Sequence, residues 1–246
     1  MVVRHETIIC KRARCFTRFN NRNASQYSSE GFGGFQNTYF YRHLFIQAIC
    51  TNRRNENRGD KMNSHLSTLN LVMSILAYPY YKVKKTFEFG CGDFSTPFFL
   101  DRSENHIAAE TTGHSNEARS FEWYGKIKNQ YGNRLLNIFI SSIEGNFKIL
   151  EKEQPDLVFV DGADFRSRMV NESFKHTSVV IAHDTEAIGY GWENVEMPIG
   201  WTRHSRASKT IPDPDGAWTT VWTSNHMLST ALTGIGLSSC PIPRRA

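Results

Sequence analysis

Hydrophobic and polar residues follow two periodic patterns from residue 62 onward. Apolar residues first recur at helical spacing, and Pro79 then ends that pattern. Beyond it, short apolar runs alternate with longer amphipathic stretches. We expect strands over 85–90, 106–110, 135–141, 156–161 and 178–182, and helices over 95–102, 115–131, 144–153 and 166–175. This alternation predicts an α/β fold with a doubly wound parallel sheet, since strand–helix–strand crossovers are right-handed.

A different pattern closes the chain. The run P-D-P-D-G over residues 212–216 separates two strand-like stretches, 201–208 and 217–224. Proline, aspartate and glycine favour tight turns, so this segment predicts an antiparallel hairpin at one edge of the sheet. With the five parallel strands, it gives a mostly parallel sheet of seven strands.

The N-terminal quarter differs in charge from the rest. Residues 1–61 hold 11 Lys and Arg against 4 Asp and Glu, whereas the remainder holds 18 against 20. The formal net charge of +5 therefore comes from the N-terminal segment. We expect a basic, partly disordered extension over 1–61 that includes a helical stretch, a domain over 62–230, and a tail over 231–246.

Composition also limits the setting and the partners. The five cysteines are scattered without C-x-x-C spacing, which favours a reducing, cytoplasmic location. An Arg-rich, acid-poor N-terminus also suits an organellar targeting segment. No apolar run has the length of a membrane span. Because the positive charge lies outside the predicted domain, a nucleic-acid partner is disfavoured, and the oligomeric state stays open.

The loop after the first predicted strand carries a ligand-binding signal. Open α/β sheets bind ligands beyond the carboxyl ends of their strands, where the strand order reverses. Gly90 and Gly92 let the backbone approach a ligand there. Glu110 lies 22 residues beyond Glu88, close to the offset at which an acid binds ribose hydroxyls. The third glycine of the dinucleotide fingerprint is absent, so the loop predicts a nucleoside ligand without pyrophosphate.

Two other residues of this region have competing interpretations. Glu88 either contacts a cationic ammonium group, through water or backbone, or is a buried acid tied to loop amides. Cys91 has no adjacent base, so we expect a small packing residue even though it lies within the loop.

Three segments resemble the class I S-adenosylmethionine (SAM) dependent methyltransferases. The run E-F-G-C-G-D-F-S-T over 88–96 is similar to their motif I, in the E-x-G-x-G-x-S-T form of small-molecule and saccharide-type members. The run V-D-G over 160–162, followed by Arg168, resembles their V-D-G-x-x-R stretch. The run V-V-I-A-H-D over 179–184 resembles their V-V-x-H-D ending. The resemblance spans roughly residues 84–225 and implies a Rossmann-like methyltransferase sheet.

The resemblance also implies a set of SAM-binding residues. The glycine loop and the turn after it would surround the methionine part, Glu110 would bind the ribose, and Ser142 with Ile143 would lie near the adenine. The complete set is Glu88, Gly90, Cys91, Gly92, Asp93, Ser95, Thr96, Glu110, Ser142, Ile143 and Asp161. Ser95 or Thr96 is also the expected N-cap of the following helix, with Pro97 in its first turn.

Asp161, His183 and Asp184 end the fourth and fifth predicted strands, on the expected acceptor side. They suit a Mg²⁺ or Mn²⁺ site with open positions, although metal-dependent O-methyltransferases commonly have Asp-Asn where this chain has His-Asp. Alternatively, His183 or Asp161 is a general base that Asp184 orients. A third interpretation is that both acids only cap turns. Arg168 pairs either with an acidic group of the acceptor or with Asp164 across a helical turn, and we expect the ion pair with Asp164.

These features predict an O-methyltransferase that acts on a hydroxyl group of a small molecule or a saccharide. The Pro-Pro-Tyr/Phe signature of base-amino methylation is absent after the fourth strand, where G-A-D occupies residues 162–164. Two alternatives stay open: methylation of nucleic acid or protein, and a catalytically degenerate SAM-binding module.

Overall fold

The structure is a computed structural model that describes residues 65–77, 82–113, 117–131, 137–162, 164–207, 218–234 and 237. The expected extension over 1–61, and most of the tail over 231–246, lie outside these residues. Within the described part of the chain, no helix is both long and apolar enough to cross a membrane.

The described residues form a single sheet with helices between its strands. The strands are β1 (Val83–Phe89), β2 (Ser103–Thr111), β3 (Asn137–Ser141), β4 (Leu157–Val160), β5 (Val179–His183), β6 (Thr202–Ala207) and β7 (Trp218–Thr223). The helices are α1 (Leu66–Leu76), α2 (Ser95–Arg102), α3 (Glu117–Tyr131), α4 (Ile143–Glu153), α5 (Arg166–Ser173) and α6 (His226–Gly234). Two 3-10 turns, Ile188–Tyr190 and Trp192–Asn194, lie between β5 and β6. Every predicted strand and helix between 85 and 224 is present, with ends shifted by at most three residues.

The strand order is β3-β2-β1-β4-β5-β7-β6. The first five strands are parallel, and β7 runs antiparallel to both β5 and β6. This is the sheet of the Rossmann-like methyltransferases, so the predicted fold class is confirmed. The chain fills one side of the sheet with β2 and β3 before crossing to β4, so the order reverses between β1 and β4. Ligands of open α/β sheets bind at such a point.

Burial on both faces fixes the central strands in place. All four residues of β4 and the last four of β1 are buried, including Phe87, Phe89 and Phe159, each with no exposed surface. Such continuously buried strands are typical of parallel sheets that helices cover on both sides. Trp192 and Trp222 also lie in this core. The carboxyl ends of β1 and β4 are therefore held rigidly side by side.

The N-cap prediction for α2 is wrong. Ser95 is the first helical residue, and Phe94 before it makes no side-chain capping bond. The hydroxyl of Thr96 instead accepts a hydrogen bond from the backbone N–H of Gly92 at 2.9 Å. Pro97 does lie in the first turn, as expected. Thr96 therefore stabilises the loop before α2 from a position inside the first turn of the helix.

Candidate functional site

The glycine loop after β1 lies directly against the loop after β4. Gly90 has a φ of +90°, a conformation that favours glycine, and a Cβ there would lie 2.7 Å from the carbonyl oxygen of Asp161. The backbone N–H of Asp161 donates to the carbonyl of Phe89 at 2.9 Å. Only a residue without a side chain fits at position 90. The predicted cofactor loop and the predicted acceptor side thus meet at Asp161.

Glu88 lies at the end of β1 and has no exposed surface. Its Oε2 accepts a hydrogen bond from the Thr96 hydroxyl at 2.7 Å and lies 3.1 Å from His106 Nε2. Its Oε1 is buried and has no hydrogen-bond partner among the described residues. One carboxylate oxygen is thus tied to the loop through Thr96, and the other is left for a partner that is not part of the chain described. Glu88 is therefore a buried acid, but the described partners of its Oε2 are the Thr96 hydroxyl and His106 in place of the expected loop amides; its contact with an ammonium group stays a prediction.

Glu110 extends from the end of β2 over the glycine loop. Its Oε1 accepts a hydrogen bond from the backbone N–H of Cys91 at 2.6 Å, and its side chain is buried. Asn146 supports the same strand end by donating to the carbonyl of Glu110 at 3.0 Å and to the hydroxyl of Thr111 at 3.1 Å. The other side-chain atom of Asn146, Oδ1, is buried without a partner in the described part of the chain. Sequence reasoning missed this asparagine.

Ser142 and Ile143 follow β3, next along the same edge of the sheet. Ser142 is the N-cap of α4, and its hydroxyl accepts a hydrogen bond from the backbone N–H of Gly145 at 3.1 Å. Ile143 is buried in the main core. Ser142 therefore stabilises the start of α4 and Ile143 contributes to the core. Both lie at the strand end where the resemblance places an adenine.

The remaining loop residues stabilise the loop itself. Asp93 forms a surface ion pair with Lys126, with 2.6 Å between carboxylate and ammonium. Ser95 is buried, and its hydroxyl would lie 2.7 Å from a Cβ at Gly92. Cys91 packs against Leu100 and Ile127, as expected for a packing residue. Burial and the nearby carboxylates of Glu110 and Glu88 raise the pKa of Cys91, so its thiol stays protonated.

On the other side of Gly90, the structure brings Asp161, His183 and Asp184 together. His183 Nδ1 lies 3.5 Å from Asp161 Oδ1 and 3.3 Å from Asp184 Oδ1. The three side chains are between 13% and 29% exposed, so they line a partly open site. Asp184 has a φ of +54°, a left-handed conformation that aspartate tolerates better than most residues. The grouping of these residues was predicted from the adjacent strand ends.

Arg166 is buried, binds both acids of this cluster, and was not predicted from the sequence. Its guanidinium lies 3.2 Å from Asp161 Oδ1 and 3.3 Å from Asp184 Oδ2, and it also donates to the carbonyls of Gly162 and His183 at 2.6 and 2.7 Å. Tyr190 also contacts Arg166, with 3.9 Å between the centroid of its aromatic ring and the guanidinium carbon. A buried arginine that pairs with both acids holds them in fixed orientations.

The sequence singled out Arg168 instead, and its expected partner is wrong. Arg168 is exposed and forms its ion pair with Glu144 of α4 at 3.2 Å, not with Asp164. Position 166 is the first residue of α5, where the side chain turns back toward the strand ends, whereas position 168 points to solvent. The one signal for Arg166 was its distance of five residues from Asp161.

Opposing effects set the protonation of the cluster. Burial alone would raise the pKa of Asp161, but the hydrogen bond from His183 and the charge of Arg166 outweigh it and lower that pKa. Burial would lower the pKa of His183, but the hydrogen bond and negative charge of Asp161, with the charge of Asp184, raise it. Near neutral pH, Asp161 is therefore an anion that binds and orients the imidazole.

His65, immediately before α1, lies beside the same cluster. Its ring lies edge-on to that of His183, with 4.5 Å between centroids, and it also packs against Phe159 at 5.4 Å. Burial, together with the charge of His183, lowers the pKa of His65 to about 4, so its imidazole is neutral at neutral pH. The sequence offered no motif around this residue, because it lies in the first helical pattern, ahead of the three segments that resemble the methyltransferases.

Comparison with known proteins gives structural likeness without sequence likeness. No protein-family model and no curated protein sequence matches the chain. Among solved structures, an O-methyltransferase from Bacillus cereus in complex with SAH is 10% identical, with 74% of this chain and 90% of that chain covered and a TM-score of 0.48. The O-methyltransferase TomG from Streptomyces achromogenes in complex with SAM is 13% identical, with 76% and 95% covered and a TM-score of 0.46. At these values, the fold assignment rests on the strand order of the chain itself.

Proposed function

We propose that this chain is a SAM-dependent methyltransferase that transfers a methyl group to a hydroxyl of a small molecule or a saccharide. One observation carries the proposal: the backbone of Asp161 touches Gly90 of the nucleoside-type loop, while its side chain contacts His183. A loop suited to an adenosyl group and a cluster suited to taking up a proton are thus joined at a single residue. Methyl transfer to a hydroxyl needs both functions side by side.

The residues present fit a SAM molecule. The unpartnered Oε1 of Glu88 is a buried acceptor that an ammonium group, directly or through water, would satisfy. Gly90 and Gly92 leave room where a side chain would close the loop. Glu110, at the next strand end, offers a carboxylate for two ribose hydroxyls, and the loop provides no cradle for a pyrophosphate. Cys91, Asp93, Ser95 and Thr96 would shape the methionine side, and Ser142 with Ile143 the adenine side.

Bound SAM supplies a methyl group already activated by a sulfonium. The chain therefore has to hold donor and acceptor in line, exclude water and remove the acceptor's proton. Asp161, His183 and Asp184 lie where the acceptor hydroxyl would approach, either as a general base at His183 or as ligands of a divalent ion. Arg166 pairs with both acids and fixes their orientation in both versions.

The charge distribution supports a small acceptor. Residues 62–246 carry 18 basic against 20 acidic side chains, which gives no excess of positive charge for a nucleic-acid backbone. We propose that residues 62–230 hold the whole reaction, with 1–61 and 231–246 as extension and tail.

Two measurements test the proposal. Isothermal titration of the full chain with SAM and with SAH should show one site per chain, and a Glu110→Gln variant should bind SAH more weakly. Conversion of SAM to SAH is then screened over catechols, other phenols and sugar hydroxyls, with and without EDTA. Turnover with one of these classes supports methyl transfer. Binding without turnover on any class would support the degenerate binding module, and no binding at millimolar SAM would overturn the proposal.

A further inference from the structure

His65 is 3% exposed, and neither of its ring nitrogens has a hydrogen-bond partner among the described residues. Burying an imidazole without a partner costs stability, and native proteins rarely leave such a group unsatisfied. Packing alone gives no reason for a histidine here, since the contact with Phe159 would serve a phenylalanine equally well. The two nitrogens therefore indicate a ligand that is not part of the chain described.

Other side chains that can bind a metal ion lie close to the ring nitrogens of His65. In the described part of the chain, one ligand atom each from His65, Asp161 and His183 lie within 4.8 Å of one another. A transition-metal ion lies about 2 Å from each ligand, so ligand atoms must come to within roughly 4 Å of each other. Small side-chain rotations that displace the ligand atoms by less than about one ångström would bring these three atoms to that distance. Both ion pairs of Asp161 use Oδ1, so its second carboxylate oxygen is not engaged in them.

We propose that His65, Asp161 and His183 bind a divalent transition-metal ion of the Zn²⁺ type. Two imidazoles and one carboxylate are a ligand set for such ions and leave a position open, whereas Mg²⁺ prefers oxygen ligands. Asp184 does not belong to this set: it contacts His183 and Arg166, and it orients the imidazole.

The local charges fit this assignment. Asp161 and Asp184 carry two negative charges, and the guanidinium of Arg166 offsets one of them. One negative charge remains for an ion with two neutral imidazole ligands, as in known sites with two histidines and one carboxylate. Arg166 binds the carboxylates from the buried side and orients the ligating one, as supporting residues of metal sites commonly do.

The site itself is independent of methyl transfer, whereas its use in the reaction rests on the proposed function. An acceptor hydroxyl bound at the open position would lose its proton more readily near neutral pH. The ion would then replace His183 as the agent of deprotonation, and the histidine would serve as a ligand.

Metal binding is tested directly on the full chain, without SAM. Protein freed of metal with EDTA is titrated with Zn²⁺ by calorimetry and with Co²⁺ by visible absorption. We expect one ion per chain, and a His65→Phe variant should bind it at least about 100-fold more weakly. His226→Gln removes an exposed histidine of α6 as the matched control and should leave binding unchanged. Asp184→Asn should weaken binding less than His65→Phe does.

Other outcomes overturn the inference. Wild-type affinity in His65→Phe would exclude His65, and a larger loss in Asp184→Asn would assign the ion to Asp161, His183 and Asp184 instead. If His65→Phe fails to fold, X-ray absorption of the Zn²⁺-loaded wild-type protein counts the imidazole ligands directly; two are expected, and one or none refutes the site. Titration with SAH on the same sample separates the proposals. Metal binding without SAH binding leaves the site standing and removes the proposed function, and SAH binding without metal binding does the reverse.

Discussion

His106 and Glu88 contact each other inside the sheet, on neighbouring strands, with 3.1 Å between Nε2 and Oε2 and no exposed surface on either side chain. The other ring nitrogen of His106 lies 2.9 Å from the Thr86 hydroxyl, and the ring stacks on Phe99. The imidazole therefore holds the carboxylate that borders the candidate cofactor loop. Loss of this histidine would leave buried polar groups unsatisfied.

The first prediction concerns this contact. His106→Phe keeps a ring against Phe99 but removes both hydrogen bonds, so we expect the free energy of unfolding to fall by about 3 kcal/mol. A less deeply buried pair offers the control, since His176 lies 3.2 Å from Glu172 of α5 and the two side chains are 11% and 22% exposed. His176→Phe should change stability by less than about 1 kcal/mol. Urea unfolding of both variants measures the difference, and equal effects would contradict the prediction.

The second prediction separates steric from conformational effects at two glycines. Gly90→Ala should cost about 3 kcal/mol or more and abolish SAH binding, because its Cβ would collide with the Asp161 carbonyl and its φ is positive. Gly113 has a φ of +80°, but a Cβ there meets nothing within 4 Å. Gly113→Ala should therefore cost only about 1–2 kcal/mol. Thermal unfolding and SAH calorimetry check both, and a milder effect at position 90 would refute the close contact.

The third prediction addresses the ribose position. Glu110→Gln preserves the size of the side chain but removes its charge, and it should weaken SAH binding by about 10-fold or more. Glu104 lies on the same strand, at the exposed opposite end, so Glu104→Gln is the control and should bind SAH normally. Equal affinities for the two variants would show that Glu110 does not contact the ligand.

The fourth prediction compares the two arginines of α5. Arg166→Met leaves Asp161 and Asp184 without their buried partner and should lower the free energy of unfolding by about 3–5 kcal/mol. Arg168→Met removes an exposed pair with Glu144 and should change it by no more than about 0.5 kcal/mol. Chemical denaturation near neutral pH gives both values. A mild effect of Arg166→Met would mean that the two acids find other partners.

The fifth prediction is a pH dependence of the metal-free protein. The pKa of His65 is about 4 in the folded chain against an ordinary value of 6.5, so the unfolded chain binds more protons between these values. Above pH 6.5 the His65 imidazole is neutral in both the folded and the unfolded chain, so it does not change the free energy of unfolding. As the pH falls from 6.5 toward 4, protonation of the unfolded chain lowers the free energy of unfolding by about 3 kcal/mol in total. In EDTA, His65→Phe should therefore lose less stability than wild type over this range. Parallel curves would show that His65 does not titrate in this way.

Much of the fold was predictable from local signals. The run over 157–160 is apolar throughout, and P-D-P-D-G favours a turn, so each element follows from its own residues. The acceptor-side cluster was predictable for a similar reason, since Asp161 and His183 lie at the ends of strands that had to be neighbours. These inferences needed only the order of elements and the rules of parallel sheets.

The missed residues depend on long-range packing. His65 belongs to a helix that precedes β1, and nothing in its local sequence shows that α1 carries it to His183. Arg166 and Arg168 both lie in the first turn of α5 but point in different directions. The sequence predicts the start of a helix only to within a residue or two, so it does not show which of the two arginines faces the cluster. Thr96 has good capping chemistry, but its hydroxyl is used by Gly92 and Glu88.

The contact between Gly90 and the Asp161 backbone has a consequence for protein engineering. No methyl group fits between the two loops, so the peptide at position 161 cannot be moved without displacing the loop after β1. A redesign of the chain for another acceptor is therefore expected to alter cofactor affinity if it changes the loop after β4. Tyr190, between β5 and β6, approaches the same cluster through Arg166, and its ring is not among the atoms nearest to Gly90, so it is the better position at which to introduce diversity.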